Sequence, residues 1–197
     1  DLFPHLWFIL VDPAPFAVKE TRDLRIAIRQ ELFTDEIAHE FAGKNVLFIS
    51  DIRSADWQQL SANEMDEQVA EDMEAQQRWH NIMRPKKSML KFRLSWRKGK
   101  TKYLAGDIYF PIWGPITTTE ARLVPSEGEK EYDNTKYEEQ MFYFNTVTRV
   151  ALYPHSVKGE GLDRCYDCSA EVFVLREYIK KFFPDLSSTE IQSRISK

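Results

Sequence analysis

Two stretches decide the fold: LWFILVD at residues 6–12 and NVLFISD at residues 45–51. Each is apolar almost throughout and ends on an acid, the pattern of a strand buried on both faces of a parallel sheet. LRIAI, residues 24–28, is a shorter strand candidate between them. Thr34, followed by Asp35 and Glu36, can cap a short helix reaching about Phe41. Strands alternating with short helices predict an α/β fold with a parallel sheet. Ligands of such sheets gather at the carboxyl ends of the strands, where a carboxylate commonly accepts from a ribose hydroxyl pair. Asp12 and Asp51 are therefore candidate ligand contacts, although either can equally cap the turn that follows it.

Outward from these strands, Ser61 and Glu64 form an S-x-x-E capping box, with Met65, Val69 and Met73 following at helical spacing. That helix should run to about Met83, ahead of Pro85. MLKFRL (89–94), YLAGDIYF (103–110) and TTEARLV (118–124) read as further strands, with WRKGKTK (96–102) as a loop. Asn134 can start a long helix through TKYEEQMFYFNTVTRV, whose Tyr137, Met141 and Phe144 share a face. EVFVLREYIKKFF (171–183) is another helix, and Ser187 with Glu190 caps a last short one.

The 197 residues allow one compact domain with a real core. No run approaches the roughly 18 apolar residues that span a bilayer, so no membrane association is expected. The two cysteines, Cys165 and Cys168, stand as CYDC with only His155 near in sequence. Zinc sites need a second ligand pair, so two ordinary thiols, no metal and a reducing, cytoplasmic setting are the reading. The net charge of −4 hides an asymmetry. From Arg84 to Lys102 there are nine basic residues and no acid, while acids crowd Glu64 to Glu74. This predicts one anion-facing surface on an otherwise acidic body.

At ISDIRS (49–54) the chain resembles the poxvirus-type cap-specific mRNA nucleoside 2′-O-methyltransferases, which also serve as the processivity subunit of a viral poly(A) polymerase. The resemblance continues in order through WFILVD, LFTDE (32–36), LKFR (90–93), TEARLV (119–124) and YEEQMFYFN (137–145). It covers about residues 6 to 150 and points to a relative from another large DNA virus. Residues 151–197 are then a helical C-terminal extension of one methyltransferase domain. The implied fold is the Rossmann-like sheet of the FtsJ-type RNA methyltransferases, flanked by helices. The implied cofactor is S-adenosylmethionine.

Those enzymes use a Lys-Asp-Lys-Glu set around the ribose 2′-hydroxyl. By motif, Asp51 takes the Asp position, Lys91 the second Lys and Glu120 the Glu. Asp12 matches the acid that binds the cofactor ribose, and Phe33 and Thr34 fall at the adenine pocket. The chemistry agrees with these residue types. A 2′-hydroxyl is a weak nucleophile facing an excellent sulfonium leaving group, so the protein must align the atoms and handle one proton. Lys91 is then the general base or hydroxyl-orienting residue, with Asp51 and Glu120 as its partners. Without the resemblance Lys91 is one phosphate contact among nine cations. Arg53, Arg93, Trp96, Arg97, Lys98 and Glu138 are the expected contacts to RNA and its cap. Trp96 would stack on the methylated base, gaining cation–π energy on the order of 1–2 kcal/mol.

The chain departs from the family in three places. Lys98 stands near where a second cap-contacting acid is expected, and Thr117 where a tyrosine is expected. The glycine-rich loop, the first lysine and the central first strand have no counterpart in the sequence. The expectation is therefore an N-terminally incomplete domain holding most of a methyl-transfer centre. Its rival is a non-catalytic RNA-binding module or processivity factor for a poly(A) or RNA polymerase.

Overall fold

The computed structural model describes residues 5–23, 25–54, 58–112, 114, 116–152 and 166–195. β1 (Phe8–Val11) and β2 (Ile26–Arg29) form a two-stranded parallel ribbon, with Phe8 opposite Ile26 and Val11 opposite Arg29. α1 (Asp35–Glu40) follows, its first turn capped by the Thr34 side chain. β3 (Leu47–Ser50), β4 (Lys87–Lys91), β5 (Lys100–Tyr109) and β6 (Arg122–Asp133) make a separate sheet in the order β3-β4-β6-β5.

The α/β fold is present, and the expected parallel sheet is corrected to a mixed one. Only β3 and β4 run parallel, joined through α2 (Ala62–Met83), a crossover helix of the length such a connection requires. β4–β6 and β5–β6 are antiparallel. No crossover helix separates β5 from β6, so the second returns beside the first. β1 and β3 each keep one edge without a hydrogen-bonded strand among the described residues. The architecture is α/β with helices against a mixed sheet.

The core lies between α2 and one face of this sheet. Val69, Met73, Trp79 and Met83 from the helix meet Phe48, Leu90, Phe92 and Leu123 from the strands. α2 begins where its capping box predicts, with Ser61 and Glu64 bonded reciprocally, and ends at Arg84 before Pro85. Several boundaries differ from the sequence reading. Lys100–Lys102 belong to β5 rather than to a loop, and β6 continues through Pro125 to Asp133. Pro125 is tolerated because it faces Gly106 at a register irregularity, where a ladder bond is already lost. A Cβ on Gly106 would lie 2.5 Å from the Val124 carbonyl oxygen, so only glycine permits that approach.

The long helix expected from Asn134 is three pieces: α3 (Asn134–Tyr143), a π-helical turn (Phe144–Thr148) and α4 (Arg149–Leu152). Its cap is Asp133, whose carboxylate accepts the Lys136 N–H at 3.0 Å. Asn134 instead donates to the Arg97 carbonyl and accepts from Thr101 Oγ1. α5 (Tyr166–Phe182) and α6 (Ser188–Ile195) close the chain, with Ser187 and Glu190 paired as expected. Cys165 and His155 lie outside the described residues, as does the side chain of Cys168. Among the described residues no helix is long and apolar enough to cross a membrane.

Candidate functional site

Strand register assembles the candidate site. Leu47, Ile49 and Asp51 alternate onto the face of β3 that turns away from α2, while Phe48 and Ser50 are buried beneath it. Parallel pairing sets Ile49 beside Met89, so Asp51 arrives beside Lys91, two residues further along each strand. Antiparallel pairing sets Arg122 directly across from Lys91. Glu120 precedes Arg122 by two residues and shares its side of the chain. Three chain segments thus deliver four charged groups to one spot.

The groups touch. Lys91 Nζ lies 2.9 Å from Asp51 Oδ1 and 3.7 Å from Glu120 Oε2. Arg122 Nη2 donates to the same Asp51 oxygen at 2.6 Å, and Arg122 also pairs with Glu120. Asp51 is 63% exposed and Lys91 only 17%, so the carboxylate faces solvent while the lysine stem packs into the sheet. Arg122 escaped the sequence reading. Its signal was the two-residue offset from Glu120 in TEARLV, which places both side chains on one strand face.

The backbone of Lys91 is held as firmly as its side chain. Phe92 N–H donates across β6 to the Ala121 carbonyl, so the Lys91 N–H and carbonyl point the other way, past the end of β3. There the fully buried Gln76 of α2 takes both, at 3.1 Å each. The side-chain amide replaces the strand that stops one residue short.

The expected anion-facing stretch is corrected in part, because much of its charge is answered by the protein. Arg93 is buried, paired with Asp66 at 2.9 Å, and stacked 4.8 Å from the Trp96 ring centre. Ser95 donates to the same Asp66 at 2.5 Å. Arg97 bonds Asn63 and lies 3.9 Å from Glu67, while Lys100 and Lys102 pair across the hairpin with Glu131 and Glu129. The acidic helix and the basic stretch face each other. Arg53 is half-buried, 3.9 Å from Asp72, which also accepts from the Ser54 N–H and hydroxyl. Burial pulls the Arg53 guanidinium below its ordinary value, against Asp72 and with a contribution from Arg93. Lys98 is exposed.

Trp96 and Glu138 face one concavity. With Thr117, Phe142 and Asn145 they line this shallow concavity of about 450 Å³ between the 116–119 segment and α3. Trp96 is 41% exposed there, one ring face held by Arg93. The expected cofactor residues are more dispersed. Asp12 is exposed at the carboxyl end of β1, and its Oδ1 accepts the Ala14 N–H at 2.7 Å, the turn-capping alternative. Thr34 caps α1 through the Ile37 N–H. Phe33 packs on Phe48 and Trp79, with ring centres 5.6 and 4.8 Å away. In donor chemistry Asp12 and Asp51 suit a ribose diol and a cationic amine. Phe33 and Thr34 are engaged within the fold, as ring packing and as a helix cap. Among the described residues no group of three or more His, Cys, Asp or Glu is placed to hold a metal ion.

A family model described as the poly A polymerase regulatory subunit matches residues 6–185. The chain belongs to that family. The match extends beyond about residue 150, the limit of the resemblance read from the motifs. Comparison with curated proteins gives no match.

Proposed function

We propose that this member of the poly(A) polymerase regulatory subunit family acts as the RNA-engaging partner of such a polymerase. Family membership over residues 6–185 carries this reading. In this role the protein holds the RNA that the polymerase extends, and no chemistry of its own is required.

A second reading has its own observation: Lys91 set between Asp51 and Glu120 on an open sheet face, with Arg122 bound to both acids. An RNA clamp has no need of two carboxylates around one lysine. We propose that this cluster serves methyl transfer to a ribose 2′-hydroxyl, at the 5′ cap of viral mRNA. S-adenosylmethionine would supply the activated methyl group, with Asp12 and Asp51 as its contacts in this chain. Lys91 Nζ orients the 2′-hydroxyl, and Asp51 and Glu120 fix the position of Nζ. Arg122 fixes the two acids. Holding oxygen and methyl carbon in line is where most of the acceleration arises. Trp96 would stack on the cap base, and Glu138 would accept from its edge.

One pair of assays separates the readings. With Lys91→Ala, methyl incorporation into capped RNA should fall by about 10²-fold or more, while stimulation of poly(A) synthesis persists. Equal methylation by wild type and variant sinks the catalytic reading. A wild-type protein that leaves polymerase processivity unchanged sinks the first.

A further inference from the structure

A group of cations without acidic partners sits at the other pole of the sheet, one of them, Lys44, with its Nζ 5.3 Å from the Phe41 ring centre. Arg84, Lys86 and Lys87 follow α2, and Lys44 precedes β3. Two backbone bonds bring these loops together: Gly43 N–H to the Met83 carbonyl at 3.3 Å, and Lys86 N–H to the Val46 carbonyl at 2.9 Å. All four side chains are exposed. None has an acidic partner among the described residues, and neither 41–50 nor 75–106 contains an acid. Lys87 lies on the same sheet face as Lys91, four residues up the strand, or about 13 Å at the usual rise per residue.

A second observation singles out Arg84. It holds a left-handed conformation, φ 48° and ψ 56°, at the C-cap of α2. It is the only non-glycine residue with positive φ among those described. Glycine or asparagine is the usual occupant of such a position. The negative end of the α2 dipole accounts for a cation after the helix. It does not account for Lys44, which arrives from a different loop.

We infer that Lys44, Arg84, Lys86 and Lys87 form a second RNA-backbone contact, gripping phosphates of single-stranded RNA away from the Lys91 centre. This rests on the reading of the chain as RNA-engaging and moves its main phosphate grip from the paired 93–102 stretch to the opposite pole. Lysine point charges on exposed side chains suit a sequence-independent backbone. Specific base readout would call for planar, preorganised donors.

The test compares wild type with a Lys44→Glu, Lys86→Glu, Lys87→Glu triple variant, binding a long capped RNA and a dinucleotide cap analogue across a salt series. The long RNA should bind at least tenfold more weakly to the variant. Its dependence of log affinity on log salt should flatten by about two, near 0.7 per phosphate contact for single strands. Cap-analogue affinity should be unchanged. Arg84→Gly supplies a control for folding, because it relieves the left-handed strain. It should raise the thermal midpoint while still weakening the long RNA. Unchanged long-RNA affinity and salt slope in the triple variant overturn the inference. So does loss of polymerase association with RNA binding intact, which would assign the pole to an acidic protein surface. These are binding readouts, so a chain without methyl transfer still reports on the pole. A wild type that binds no RNA at all would instead remove the parent reading.

Discussion

The four-stranded sheet and the two-stranded ribbon treat the apolar residues of their strands in opposite ways. Leu90 and Leu123 at the sheet centre are fully buried, whereas Phe8 and Ile9 in the ribbon are 39% and 48% exposed. Composition does not explain the difference. β4 has a strand on each side and α2 across one face, while β1 has β2 alone. The comparison teaches that register and a covering helix convert an apolar run into a core, and that the Lys91 cluster sits on the half where this has happened.

The largest expected effect breaks that half. Phe92 is fully buried against the rings of Tyr103, Tyr132 and Tyr137, with centres 5.3 to 5.9 Å away. Phe92→Ala should lower stability by about 3–5 kcal/mol, measured by denaturant unfolding. A cost near 1 kcal/mol would mean that the sheet core is far looser than its burial indicates.

Next comes the joint between helix and site. Gln76→Leu keeps the volume but leaves the Lys91 N–H and carbonyl without the partners that Gln76 provides. Each such loss costs about 1–3 kcal/mol, so unfolding should register that much. RNA methylation, if it occurs at Lys91, should fall with it. Gln76→Glu restores the acceptor but not the donor and should fall between. Full methylation with Gln76→Leu would show that the backbone clamp does not position the lysine.

Much of this half was legible in the sequence. The capping box at Ser61 and Glu64 and the stop at Pro85 set α2, and the apolar run into Asp51 set β3. The three residues taken from ISDIRS, LKFR and TEAR do converge. The rest was hidden for physical reasons. Lys100 and Lys102 at the start of β5, and Glu127, Glu129, Glu131 and Asp133 at the end of β6, put a charge at every other position, which resembles a solvated loop until the two lysines are seen paired across the strands with Glu131 and Glu129. Arg93 resembled a free cation because Asp66, 27 residues earlier, meets it only through the packing of α2. The π-helical turn leaves no mark in apolar spacing. The distal pole was hidden in a similar way, since Lys44 joins Arg84 only after β3 and β4 pair.

A subtler effect should appear with pH. His80 is half-buried in the last turn of α2, its Nδ1 2.8 Å from Ser88 Oγ, and burial lowers its pKa below the ordinary value. The unfolded chain then binds the extra proton first. Stability from neutral His80 is complete above about pH 6.5 and declines as pH falls from there through the folded value. Exposed acids such as Glu64 and Glu190, whose own values are lowered by Ser61 and Ser187, add a decline at lower pH. Replacing His80 with Asn should remove only the upper part of the slope. An unaltered slope between about pH 6.5 and 5 would locate the proton uptake elsewhere.

The smallest expected effect concerns the ribbon and sharpens the comparison most. Ile9 in β1 is nearly half exposed, and Thr keeps the branched Cβ that suits a strand. Ile9→Thr should therefore shift stability by no more than about 0.5 kcal/mol, the usual range for a surface position. Leu90→Ala in the sheet should cost several times that. If thermal unfolding instead shows a loss above about 2 kcal/mol for Ile9→Thr, the ribbon face is a buried surface in the working protein. The exposed edges of β1 and β3 would then be covered by protein beyond the described residues, and the contrast between the two halves would be one of missing contacts rather than of design.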